Sequence, residues 1–391
     1  MVVENGGGND RMKLLSKIFS ASLAFLTLGC NLSPTSMPAS ATVVPNTQSP
    51  PTVVPAIAKI PTPAQGYLYH GVYPGGHTGD EDDITLDDLL SYEEAVGKSA
   101  AWVYFSNNWY HGRQFPTETA TWIREAGSIP YIRLMLRSGL KHDGLEPVFT
   151  LQNILDGQFD SDLHAWCADA RSFGTALIAE YGTEANSDSF AWSGISNGGG
   201  TTNAYGNPAQ PDGPERFKDA YRHIIQICRD EGAQNITWVF HLGNESFPDE
   251  DWNRMENYYP GDEWINWMGI SAYGTYRPQS SYVNDFRPGM DEVHARILKL
   301  APQKPIIIAE FGTAKNNPNL DQVQWAREAL VAITSLQYSN VIGFSWWNER
   351  WQNDADPAHD TTMRVQDNAE LARVFQELVA ENPIVLTEIA P

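Results

Sequence analysis

The chain has 391 residues, and nearly all of its tryptophan and tyrosine lies beyond position 65. Forty-eight acidic residues against 26 basic ones give a formal net charge of −22. That balance argues against nucleic acid or an anionic membrane surface as a partner and fits a neutral substrate.

The N-terminal region does not read as part of a fold. Met12 to Lys17 is a short basic stretch, and Ile18 to Leu28 is an apolar run of about a dozen residues, too short to span a bilayer and suited to a secretory signal. Glu4 and Asp10 precede it, so Met12 is the expected start of translation. Gly29-Cys30 has the core of a bacterial lipoprotein processing site, although Thr27 stands where such sites usually carry Leu; the other reading is a plain secretory signal with a chance cysteine. Residues 31–65 hold eight prolines, many Ser and Thr, and a single charge, Lys59. That composition predicts an extended tether. The expected organisation is therefore a signal over 1–30, a linker over 31–65 and one catalytic domain over 66–391. About 320 residues suit a single α/β barrel.

From Gly66 onward, short apolar runs alternate with amphipathic stretches. The strands are expected at Tyr67–Val72, Ala100–Phe105, Pro130–Leu136, Ala176–Tyr181, Ile236–His241, Trp267–Ala272, Pro305–Ala309 and Val341–Trp346. Helices are expected at Asp160–Phe173, Pro214–Glu231, Met290–Leu300 and Leu320–Gln337, among others. Pro116 and Pro214 occupy apparent first helical positions, and Gly127, Gly174 and Gly232 follow helical runs as terminating glycines do. Eight such units predict an α/β fold, the closed (β/α)8 TIM barrel. An open doubly wound sheet is the alternative, but no glycine-rich phosphate loop follows the first strand. The long loop from Ser193 to Gly213 would lie on the C-terminal barrel face and shape a groove. Cys167 and Cys228 fall in helices flanking the fourth strand, either bridged or as two separate thiols.

Two carboxylates stand at strand ends 126 positions apart, Glu184 in Gly182-Thr183-Glu184-Ala185-Asn186 and Glu310 in Ile308-Ala309-Glu310-Phe311-Gly312. Barrels place their chemistry at that end of the strands, and glycoside hydrolysis needs two carboxyl groups, an acid/base and a nucleophile or water activator. Asn186 and Trp192 supply an amide and an aromatic face for a sugar. Tyr273, closing the sixth strand, could hydrogen-bond the nucleophile. Trp346 and Trp347 offer a ring floor, and since neighbours on a strand face opposite ways, one of the two packs outside. Glu180 points into the barrel, where Arg133 on the preceding strand is its expected partner. Glu245 and Glu349 are further strand-end carboxylates. No HExxH or paired ligand spacing occurs, so no metal or other cofactor is expected.

These residues resemble glycoside hydrolase family 26 from about Tyr67 to Val379. Gly182 to Asn186 is similar to that family's Gly-His-Glu-Met-Asn motif. Ile154 to Asp160, Tyr221-Arg222-His223, Asn235 to Val239, Tyr259 to Asp262 and Ile270 to Gly274 resemble other segments, and Pro305 to Gly312 its nucleophile strand. The resemblance implies a retaining endo-β-glycanase with Glu184 as acid/base and Glu310 as nucleophile. Its substrate would be a polysaccharide, β-1,4-mannan first, with mixed-linkage β-glucan or β-1,3-xylan as alternatives. Thr183 replaces the family's usual His, which leaves mannan open. A glycan-binding lipoprotein without activity is the rival from another class. The expected protein is a monomer, secreted or at the cell surface, touching membrane only through a lipid anchor at Cys30.

Overall fold

A computed structural model describes residues 59–76, 79–140 and 146–389. The signal, Met12, Cys30 and the linker up to residue 58 lie outside the described residues. Eight parallel strands follow one another in order: β1 (Leu68–Tyr73), β2 (Trp102–Asn108), β3 (Ile129–Met135), β4 (Leu177–Tyr181), β5 (Ile236–Gly243), β6 (Trp267–Tyr273), β7 (Ile306–Gly312) and β8 (Val341–Trp347). β8 pairs with β1, so the sheet closes into the (β/α)8 barrel. Nearly every strand residue is buried, because helices cover the outside and side chains fill the inside. A short strand, Val385–Leu386, adds to the edge of β1.

The helices start and stop where local chemistry directs. Thr85 and Asp88 form a reciprocal capping box at the start of Leu86–Val96, and Gly97 ends that helix in a left-handed conformation. Gly127, Gly174 and Gly232 also have positive φ after their helices. The prolines sit slightly off the expected places: Pro116 precedes the helix Thr117–Glu125 as its cap, and Pro214 is the third residue of Asp212–Asp230. Neither removes a hydrogen bond, since the first-turn N–H groups have no helical acceptor. Cys167 and Cys228 are disulfide-bonded and tie together the helices Asp160–Ser172 and Asp212–Asp230 on either side of β4.

The closing seam is filled by one side chain. Trp102 on β2 is fully buried and donates its indole N–H to Ser345 on β8 at 2.7 Å. It lies over Gly71 on β1 and Gly343 on β8, where an added Cβ would come within 2.0 and 2.4 Å of the ring. Glycine at both places is what lets a tryptophan fit.

The tether ends earlier than its composition indicated. Lys59 to Gln65 belongs to the barrel: Ile60 is 5% exposed within the core, and its N–H donates to the Thr237 hydroxyl at 3.2 Å. Pro61 accepts from the Tyr69 hydroxyl. Ile60 is the one buried residue of the stretch 59–65. No helix among the described residues is long and apolar enough to cross a membrane.

Candidate active site

A cavity of about 620 Å³ opens at the C-terminal ends of the strands and is lined by Glu184, Glu310, Tyr273 and Trp347 from the sequence-derived set. Glu81, Arg133, Phe190, Tyr276 and Glu349 also line it. A cavity of similar size at the other end of the barrel is lined by residues 62–67 and 338–342 and has no carboxylate. The first is the cavity that brings the two strand-end carboxylates Glu184 and Glu310 together.

Glu310 is aimed by an irregularity in its strand. Along β6 and β7, Ile270 pairs with Ile308 and Ser271 with Glu310, so Ala309 is left over as a bulge. The same step appears against β8, between Ile308 and Phe311. Bulges of this kind re-aim a side chain. The Glu310 carboxylate is 4% exposed, accepting from the Tyr273 hydroxyl at 2.8 Å and the Tyr104 hydroxyl at 3.1 Å. Burial and the carboxylates beside them keep both phenols protonated, hence donors. Burial pushes the Glu310 carboxyl up to about 7; Arg133 and His241 pull it down, and the charges of Glu184 and Glu180 push it further up.

Glu184 lies in the turn after β4 and is half-buried. Its φ of 51° is left-handed, uncommon for a residue with a side chain. The turn is held by its N–H donating to the His241 carbonyl at 3.1 Å.

Glu180 faces the interior, but its partner is His241 and not Arg133. Both carboxylate oxygens lie 3.1 Å from His241 Nδ1. The hydroxyls of Tyr131, Tyr104 and Thr183 donate to it as well. Burial opposes the charge, yet His241 and these donors hold the carboxyl down at about 2, and the carboxylate in turn raises the His241 pKa. Arg133 sits beside Glu180 in register on β3 but points toward the cavity. Its Nη1 is 2.6 Å from Glu81 and 3.9 Å from Glu310, and its Nε donates to the Thr183 hydroxyl at 3.2 Å. Thr183 thus links the two carboxylate systems.

Three of the expected sugar contacts are displaced into supporting places. Asn186 is 1% exposed, and its amide bonds the Gly243 N–H and the carbonyls of Gly243 and Glu245, fixing the loop after β5. Trp192 is buried with its N–H on the Thr183 carbonyl, and it stacks at 4.9 Å behind Phe190, the ring that reaches the cavity. Trp346 is the member of the tryptophan pair that packs outside, with its N–H on the Met363 carbonyl. Trp347 faces in, stacked at 4.1 Å on Tyr73. The loop from Ser193 to Gly213 contributes nothing to the cavity lining; it folds onto the start of the helix Asp212–Asp230, where Asp212 accepts from Thr201, Ala204 and Tyr205.

Glu349 accepts from the Tyr73 hydroxyl at 2.6 Å and the Arg350 N–H at 2.7 Å. Burial nevertheless pushes it up to about 7. Glu245 instead accepts from the Tyr282 hydroxyl and is not part of the cavity lining. Sequence reasoning missed Glu81, Tyr104 and His241. Glu81 is hidden in an acidic loop, and the other two are ordinary strand residues until the barrel closes. Asp80, Asp82 and His111 are close enough to hold a metal ion. The two His111 ring nitrogens lie 3.5 Å from Asp80 and 2.7 Å from Asp82.

A sequence model of glycosyl hydrolase family 26 matches residues 184–307, beginning on Glu184 and stopping just short of Glu310. Endoglucanase H of Acetivibrio thermocellus is 25% identical over 297 residues, 74% of this chain; the chain spans 29% of that relative's length. Among solved structures, an endo-β-1,4-mannanase double mutant from Cellulomonas fimi superposes with a TM-score of 0.56 at 20% identity, covering 82% of this chain and 72% of that one. The catalytic domain of an endo-β-1,4-mannanase from Bacillus sp. JAMB-750 gives the same TM-score at 17% identity, covering 81% and 86%. At such identities the structural likeness concerns the fold.

Proposed function

We propose, from the premise that this chain is a family 26 glycoside hydrolase, that it hydrolyses internal β-glycosidic bonds of a neutral polysaccharide with retention of configuration. The observation that carries the reading is the unequal setting of two carboxyl groups in one cavity. Glu310 is enclosed, aimed by a bulge and gripped by two phenols, as an attacking group must be; Glu184 stands half-exposed on a turn, where it can exchange a proton with a leaving group and with water.

In the first step Glu184 gives its proton to the glycosidic oxygen, the bond from that oxygen to the anomeric carbon breaks, and a Glu310 oxygen bonds to that carbon. Glu184, now a carboxylate, then takes a proton from water, the hydroxide oxygen bonds to the anomeric carbon, and Glu310 leaves. The productive pair has its proton on Glu184 and its charge on Glu310. Protonating Glu184 removes one of the charges that raise the Glu310 pKa and so favours the ionised nucleophile. Trp347, backed by Tyr73, offers the ring floor for the sugar.

The substrate we favour is β-1,4-mannan. β-1,3-1,4-glucan is the second reading, supported by Thr183 in the place of the family's histidine and by the endoglucanase name of the curated relative. We further propose export and a surface location, from the apolar stretch before Cys30.

Release of reducing ends from mannan, lichenan, β-1,3-xylan and cellulose tests the activity and sorts the substrates. Binding to one of these without release would mean a glycan-binding protein. Glu310→Ala should abolish turnover on every substrate. Glu184→Ala should retain the first step on aryl glycosides with good leaving groups, and azide should restore its turnover with a β-glycosyl azide as product. Rescue of Glu310→Ala with an α-product, and not of Glu184→Ala, would reverse the roles.

A further inference from the structure

We infer that Glu81, in the loop after β1, is a positioning residue that sets the protonation of the nucleophile by holding the Arg133 guanidinium away from Glu310. The inference rests on the reading of Glu310 as nucleophile. One nitrogen of Arg133 lies between the two acids, 2.6 Å from Glu81 and 3.9 Å from Glu310. The guanidinium has little freedom to move between them. It is 5% exposed, its Nε is tied to Thr183, and the rings of Phe190 and Trp347 lie 5.5 and 5.6 Å from it. Glu81 is fixed in turn: the oxygen that meets Arg133 also accepts from the Ser106 hydroxyl at 2.9 Å, and its carbonyl accepts the Ser106 N–H at 2.8 Å. Its φ of 64° is a left-handed conformation of the kind that collects at functional sites.

The groups around Glu310 give this arrangement its weight. Tyr104 faces it from β2, Arg133 from β3, Glu180 from β4, His241 from β5 and Tyr273 from β6. Glu184, Tyr276, Arg277 and Glu349 share its cavity. Among the groups that act on its charge, Arg133 and His241 are the cations, and each is committed to another carboxylate, Arg133 to Glu81 and His241 to Glu180. Glu310 is left with two neutral phenols as its direct partners. That division of charge agrees with a carboxyl held near 7 by burial although two cations are close by.

The test is the acid limb of the kcat/KM–pH profile on whichever substrate the wild type cleaves. In Glu81→Gln the carboxylate that competes for Arg133 is gone, so the limb should move to lower pH by roughly one unit. Glu81→Asp should stay near wild type, and Arg133→Gln should move the limb to higher pH. A uniform loss of rate at all pH values, with the limb unmoved in both Glu81→Gln and Arg133→Gln, would overturn the proposal and leave Glu81 a structural residue. A shift of Glu81→Gln to higher pH would overturn it too. Carboxyl 13C NMR titration of Glu310, assigned by the signal missing in Glu310→Gln, reads the same shift without turnover. An enzyme inactive on the whole panel would therefore count against the catalytic reading alone.

Discussion

At the scale of single residues, the site concentrates carboxyl groups that folding makes harder to ionise. Glu349 shows the cost. Burial raises its pKa from the ordinary carboxylate range to about 7, so the folded chain holds this proton more tightly than the unfolded chain does. Its contribution to stability is full below the ordinary value near 4.3 and is lost as the pH rises through about 7. Glu349→Gln cannot lose a proton. It should gain on the wild type at pH 8.5 by about 1–3 kcal/mol and show little gain at pH 4, read as melting temperatures at the two values. An equal effect at both pH values would mean that the wild-type carboxyl titrates normally. Glu310 has the same sign of dependence, so the site is retained at a stability cost that grows as the pH rises toward about 7 and is constant above it.

At the scale of elements, the strands were legible because fully buried parallel strands read as continuous apolar runs, and all eight fall within three residues of the expected bounds. What happens inside a run was not legible. Nothing in Ile306-Ile307-Ile308-Ala309 marks Ala309 as the residue that drops out of register, since a bulge is a property of the pairing with β6 and β8. The alternation of faces said that Trp346 and Trp347 differ, but the direction depends on that same register. Arg133 and Glu180 are in-register neighbours, as expected from the sequence, yet the acid found its partner in His241 on the strand at its other side. Partner choice needs the third dimension. The disulfide was undecidable from spacing because two helices separated by a strand can face their cysteines together or apart. Since it closes a loop with a separation of 61 residues, Cys167→Ala with Cys228→Ala should cost about 2–4 kcal/mol, measured by denaturant unfolding. At the foot of the barrel, Ile60→Ala should cost roughly 2 kcal/mol by the same measurement. No loss there would return residues 59–65 to the tether.

For the whole molecule, the charge of −22 acts over distances longer than any contact. A neutral polysaccharide has no charge to repel. Cleavage of the preferred neutral polymer should therefore change less than about twofold between low salt and 0.5 M NaCl, because the added ions screen nothing that matters to its approach. A carboxymethylated form of that polymer should be cut several-fold more slowly at low salt, and salt should recover part of the deficit. Equal rates on both forms at low salt would show that the groove is shielded from the acidic surface.

The seam between β1 and β8 has a consequence in time as well as in space. Tyr73 comes from the first strand, while Trp347 ends the last and Glu349 follows it, and both the ring stack and the hydroxyl–carboxylate bond cross that junction. During synthesis, the ribosome must release more than 270 residues after Tyr73 before its partners exist. Until then β1 has no β8 to pair with, and the ring stack of Tyr73 on Trp347 cannot form. A nascent or truncated chain lacking the last strand would have Glu184 and Glu310 in sequence but no finished cleft around them. Gain of activity during refolding should accordingly be the slowest signal, arriving with ring closure and after the helices have formed.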